Sequence, residues 1–139
     1  MSYLKYIIIF IIFNSCVTQT AESYYAQGKN EAIQTNDYVA IQKYTKAIKL
    51  NPNYINAYMD RAKSFMAVDS IRNAIRDYDS VLVKIDINSY EKRGQLYLIK
   101  GDAYFVLSED SLACGCYEKS KFLGNTQSWD RIRNLCRKK

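Results

Sequence analysis

The sequence predicts an all-α fold of stacked helical hairpins, and three observations carry that expectation. Ala40, Ala74 and Ala113 are each followed four positions later by a tyrosine: Tyr44, Tyr78 and Tyr117. Twelve residues before each alanine stands another small residue, Gly28, Ala62 or Gly101, so the pattern repeats at offsets of 34 and then 39 residues. A small/small/aromatic signature at a period near 34 marks a helix-pair unit that cannot bury its apolar face alone and so stacks on its neighbours. Apolar residues also recur at helical spacing from residue 21 almost to the end, and one proline and five glycines fit short, tight turns.

The elements follow in order. Residues 1–5 carry one lysine, and residues 6–13 are an unbroken apolar run. That run is far short of the ~20 residues a membrane-crossing helix needs; it fits the apolar core of a secretory signal. Residues 17–20 read as a polar linker, and helices are expected over 21–34 and 37–50, with Asn36 or Asp37 capping the second. Asn51-Pro52-Asn53 stops that helix, because the residue before proline avoids the helical region. The next pair is expected over 54–67 and 70–84, with Asp69 or Ser70 as the cap between them. A longer helix over 89–107 starts at Asn88, with Glu91 three residues on in the manner of a capping box. A helix over 110–123 ends at Gly124-Asn125, the residues best able to take positive φ. The last helix, over 127–138, places Trp129, Ile132 and Leu135 on one face, with Trp129 expected to be buried there as it covers the open end of the stack.

Twenty basic against fourteen acidic residues leave a net charge of +6. The signs are interspersed except for Arg131, Arg133, Arg137, Lys138 and Lys139 near the C-terminus. Such a cluster complements the dipole of its own helix. It also supports an alternative function, contact with an anionic membrane or envelope polymer. The chain has four cysteines and no histidine. General-base and nucleophile roles would fall to Asp, Glu, Lys, Tyr or Cys, and no constellation of these stands out. Three thiols without a good fourth ligand make a poor zinc site, and no phosphate-cradling glycine loop appears. The expectation is a non-enzymatic chain without metal or cofactor.

Residues 13–16, Phe-Asn-Ser-Cys, resemble the lipobox of bacterial lipoproteins, although Phe13 and Asn14 depart from its usual leucine and small residue. The resemblance implies a signal peptide over 1–15, acylation of Cys16, and anchoring to the cell membrane or outer membrane of a bacterium. Nucleic-acid binding is not expected of an exported chain. Export implies an oxidising compartment, so Cys114, Cys116 and Cys136 would form one disulfide and leave one free thiol.

The repeats themselves resemble the tetratricopeptide repeat (TPR) family. Residues 21–54 supply Tyr24, Gly28, Ala40, Tyr44, Ala47 and Pro52 of its pattern; residues 55–88 supply Tyr58, Ala62, Phe65, Ala74 and Tyr78, with Val81 and Asp86 in place of alanine and proline. Residues 94–127 supply Tyr97, Gly101, Tyr104, Ala113 and Tyr117, with Ser120 and Asn125 in place of alanine and proline. Five extra residues fall between the second and third units, around 86–93, and are expected to lengthen the following helix at its start. The resemblance implies a right-handed α-solenoid of three hairpins, with a capping helix and basic tail over 128–139. Glycine costs a helix about 1 kcal/mol relative to alanine; at Gly28 and Gly101 close approach of the paired helix is the expected reason. The third unit and cap further resemble a subset of exported TPR proteins whose cysteines map onto Cys114 and Cys136. That implies Cys114–Cys136 with Cys116 free, although Cys116–Cys136 differs by only two residues.

In this family the first helix of each unit lines a concave groove. Transferred to this chain, the groove positions are Glu22, Tyr25, Lys29 and Ala32, then Asn56, Met59, Lys63 and Met66, then Gln95, Leu98, Asp102 and Phe105. Each set recurs at i, i+3, i+7, i+10 and so shares one helical face. Met59, Met66, Leu98 and Phe105 would form an apolar strip, unless the terminal helix buries part of it. Lys29 and Lys63 could hold an acidic group. The asparagines that clamp a C-terminal carboxylate in chaperone adaptors are absent at position 9 of the units, which holds Lys29, Lys63 and Asp102, so that ligand is not expected. The expected function is a protein-interaction scaffold with a protein or peptide partner in the groove.

Overall fold

Seven helices follow one another through residues 19–136, the part of the chain that the computed structural model describes, and no strand occurs among them. They are α1 (Ala21–Ile33), α2 (Asp37–Leu50), α3 (Ile55–Ala67), α4 (Ile71–Lys84), α5 (Tyr90–Val106), α6 (Asp110–Phe122) and α7 (Ser128–Arg131). A π-helical turn, Ile132–Cys136, continues α7. The pairs α1/α2, α3/α4 and α5/α6 form antiparallel hairpins; α2 packs on α3, α4 on α5, and α7 on α6. The result is a right-handed solenoid with α1, α3 and α5 in one layer. Helix limits agree with the sequence expectation to within two residues, up to the end of the described chain.

The turns inside the hairpins use a device the sequence did not announce. Thr35, Asp69 and Ser108 each take positive φ, between 58° and 60°, at the same place in successive units. In each case the next N–H reaches back five residues: Asn36 to the Glu31 carbonyl at 2.9 Å, Ser70 to Phe65 at 2.7 Å, Glu109 to Tyr104 at 3.0 Å. These are Schellman closures, normally built on glycine. Only the closure after α6 has one, Gly124 at φ +87°. The expected side-chain caps are not made. Asn36 precedes α2, but its amide donates to the Glu31 carboxylate at 3.1 Å, and Ser70 likewise makes no cap bond to α4. Helix α5 starts after Ser89 rather than Asn88, and no capping box forms.

The links between hairpins share another device. The side chains of Asn51, Asp86 and Asn125 accept the N–H two residues on, at 3.0, 2.9 and 3.0 Å. Asp86 and Asn125, which stand where the repeat pattern has proline, thus turn the chain by hydrogen bonding instead. Asp86 thus holds the Asn88 N–H, which a capping box would have offered to Glu91. Helix α5 has 17 residues against 13 in α3, so four of the five extra residues form one more turn and the fifth enters the link.

The expected contact residues are the core. Ala40, Ala62, Ala74 and Ala113 are at most 1% exposed, and Tyr44, Tyr78 and Tyr117 at most 2%. The glycines have a more specific reason than backbone approach. A Cβ on Gly28 would lie 2.6 Å from Tyr44 Cε1, and one on Gly101 would lie 2.5 Å from Tyr117 Cε1. The partner helix's ring, not its backbone, occupies the space. Ser120 departs from the alanine of the pattern because its buried hydroxyl donates to the Gly94 carbonyl at 2.8 Å. Arg61 of α3 makes two hydrogen bonds to Asp77 of α4, at 2.8 and 2.7 Å, with Asp77 almost wholly buried.

Candidate functional site

The layer of α1, α3 and α5 presents most of the expected groove residues on one side, but unequally. Lys29, Asn56, Lys63, Gln95 and Phe105 are exposed, and Tyr25, Met59 and Met66 are half-buried. Tyr25 donates to the Asp60 carboxylate at 2.8 Å, which joins α1 to α3, and its ring packs against Tyr44 and Tyr54. Burial, then the Asp60 bond, holds its phenol well above the ordinary range. Lys63 pairs with the same Asp60 at 2.8 Å. Lys29 has no carboxylate partner among the described residues; its ammonium lies 5.9 Å from the centre of the Tyr25 ring.

The third helix departs from expectation. Leu98 is not part of an open groove: it is 5% exposed and packs with Ala113, Tyr117 and Ile132. Asp102 is not free either. It accepts from the Tyr117 hydroxyl at 3.0 Å and from Arg131 Nε at 2.8 Å. Burial first, then this Asp102 bond, keeps the Tyr117 phenol above its ordinary value. The physical reason is position: on this last described hairpin the terminal helix itself occupies the seat. Its face is not the expected one. Ser128 and Ile132 turn inward with Leu135 at the edge, whereas Trp129 is 51% exposed with the Lys121 ammonium 4.3 Å from its ring. A residue adjacent to Ser128 on a helix points about 100° away, so Trp129 is not the cap's buried residue.

The Cys114 and Cys136 sulfurs lie 2.03 Å apart with Cα atoms at 5.7 Å, a disulfide joining α6 to the end of the terminal helix. Cys116 is buried and free; burial pushes its thiol up, against the lowering effect of Lys100. Of the basic cluster, Arg131 is paired with Asp102 and Arg133 with Asp130. Cys16, the whole expected signal segment and residues 137–139 lie outside the described residues. Among the described residues no helix is long and apolar enough to cross a membrane, and no three acidic or cysteine side chains converge as metal ligands.

One feature of the face escaped sequence reasoning. A cleft of about 1200 Å³ opens beside the lengthened start of α5, lined by Asn56 and Met59 of α3, Lys92, Gln95 and Ile99 of α5, and Asn125. Its signal was the five extra residues, but their consequence depends on the neighbouring helix.

No family model matches the chain. Over 80 residues, 53% of this chain, it is 35% identical to DnaJ homolog subfamily C member 7 of Mus musculus. The match spans 16% of that relative's length. Among solved structures, the N-terminal domain of stress-induced protein-1 from C. elegans has a TM-score of 0.75 at 18% identity, covering 84% of this chain and 94% of that one. The first TPR of Spaghetti (RPAP3), bound to the HSP90 peptide SRMEEVD, has a TM-score of 0.69 at 21% identity, covering 86% and 92%. The fold is therefore that of a TPR solenoid.

Proposed function

We propose that the chain is a non-enzymatic interaction scaffold, held at a bacterial cell envelope by lipid on Cys16, which binds a protein or peptide across the face of α1, α3 and α5. The observation that carries the reading is the state of that face. It keeps at Lys29 a cation with no carboxylate partner among the described residues, adaptable methionines at Met59 and Met66, an aromatic side chain at Phe105 that is 44% exposed, and a cleft that Met59 lines. Polarizable, flexible side chains around exposed apolar surface suit peptide recognition. The peptide bound to the RPAP3 domain supports a peptide as the class of partner here. The envelope assignment is supported by the apolar run over 6–13 and by Ser15-Cys16.

Cross-linking in intact cells, read by mass spectrometry, tests the face. Met59→Glu with Phe105→Glu is expected to remove the principal cross-links, and an unchanged set overturns the assignment. Intact-mass measurement of membrane-extracted protein is expected to show acyl groups on Cys16; an unmodified chain starting at Met1 overturns the anchor alone.

A further inference from the structure

The third helix of the binding layer carries a site that the chain itself occupies. Leu98 of α5 with Ala113 and Tyr117 of α6 forms an apolar floor, and Ile132 covers it, with Leu135 and Cys136 at the edge. Beside the floor Asp102 receives Arg131 Nε at 2.8 Å. Leu98 and Asp102 are the register counterparts of Met59 and Lys63, which remain accessible on α3. Leu98 and Asp102 thus belong to the same face as Met59 and Lys63, while α6 supplies the rest of the seat, and residues 128–136 close it.

The closure is weakly held apart from one bond. Nine residues are too few for a helix to be stable alone. The Arg131–Asp102 pair is 47% and 40% exposed, so solvent screens it. Ile132 is the one fully buried apolar side chain of the segment. The Cys114–Cys136 disulfide, whose two residues are both partly accessible, is the covalent tie.

We infer that Cys114–Cys136 is a redox latch on a second docking seat. Reduction frees residues 128–136, and the seat then takes a partner's amphipathic helix with the chemistry of the segment it replaces: an arginine immediately before the first of two apolar residues spaced three apart. The reductant is a dithiol. Its thiolate attacks one sulfur, the bond between Cys114 and Cys136 breaks, and both cysteines leave as thiols. The donor supplies two electrons and two protons and departs as its own disulfide. The inference rests on the scaffold reading, but its test is separate from the cross-links that probe Met59 and Phe105.

The full mature chain is compared oxidised and in dithiothreitol by hydrogen exchange. Exchange in 128–136 is expected to rise at least tenfold on reduction, while 21–122 stays protected. A fluorescent peptide of residues 125–136 carrying Cys136→Ser is then titrated against the oxidised chain and against an Ile132→Asp/Cys136→Ser chain, whose own segment cannot reseat. Binding is expected to the variant alone, and Arg131→Ala in the peptide weakens it about tenfold. Unchanged exchange, equal binding to both chains, no binding to a variant of native helicity, or melting of the hairpins on reduction each overturns the latch.

Discussion

Replacing Gly101 by alanine separates two forces that act in opposite directions on the same atom. On helix propensity alone the change is favourable by about 1 kcal/mol. Packing opposes it: the new Cβ would stand 2.5 Å from Tyr117 Cε1, 2.7 Å from Cδ1 and 3.2 Å from Cζ. The ring cannot retreat cheaply, because it is fully buried and its hydroxyl is tied to Asp102 at 3.0 Å. Overpacking a core costs about 1–3 kcal/mol, and losing the hydroxyl bond adds about 1 kcal/mol. The expected net loss is about 2 kcal/mol. Gly115 is the control, since it is helical and nothing lies within 4 Å of a Cβ there. Gly115→Ala should therefore gain up to about 1 kcal/mol, and the two variants should differ by about 3 kcal/mol in urea unfolding followed by circular dichroism. If Gly101→Ala unfolds at the wild-type midpoint or above it, the ring is not what the glycine accommodates, and the account of Gly28 against Tyr44 goes with it.

Asp69→Gly should raise stability by about 1 kcal/mol, because an L-residue in the left-handed region costs ~1–2 kcal/mol and glycine recovers it less its greater unfolded-state freedom; a lower thermal midpoint would contradict this. Arg61→Ala strands the Asp77 carboxylate and should cost about 3 kcal/mol, while an apolar Arg61→Met/Asp77→Leu pair should restore most of it in the same unfolding assay. Burial first, then nearby carboxylates (Asp60 and Asp37 for Tyr44, Asp77 for Tyr78), pushes the Tyr44 and Tyr78 phenols up to about 12 from 10.0. The folded chain then holds these protons longer than the unfolded chain does. Stability should be flat in this respect below pH ~10 and fall as pH rises from there to about 12, with late tyrosinate absorbance accompanying unfolding; a midpoint rising across that range would refute it.

Several departures show where sequence reading reached its limit. Asp86 and Asn125 looked like defects in a proline position, yet each makes the turn with its carboxylate or amide. Thr35, Asp69 and Ser108 sit in a conformation that favours glycine, and nothing in their identity says so; the hairpin geometry imposes it. Trp129 read as a buried cap because Trp129, Ile132 and Leu135 share a helical stripe. The helix settles instead on Ser128 and Ile132, because the small serine fits against the 125–128 turn, where its hydroxyl donates to the Asn125 carbonyl at 2.5 Å.

By itself the sequence determined the number, limits and pairing of the helices, since period, small residues and helix stops are local properties repeated three times. It also determined which residues seal each hairpin, because a recurring alanine or glycine opposite a tyrosine has one packing solution. Only the tertiary structure decided which groove residues remain available. Leu98 and Asp102 carry the same pattern as their counterparts, but whether a face stays open depends on what the chain places over it. That is settled by a residue 34 positions away, Ile132, and by a disulfide spanning 22.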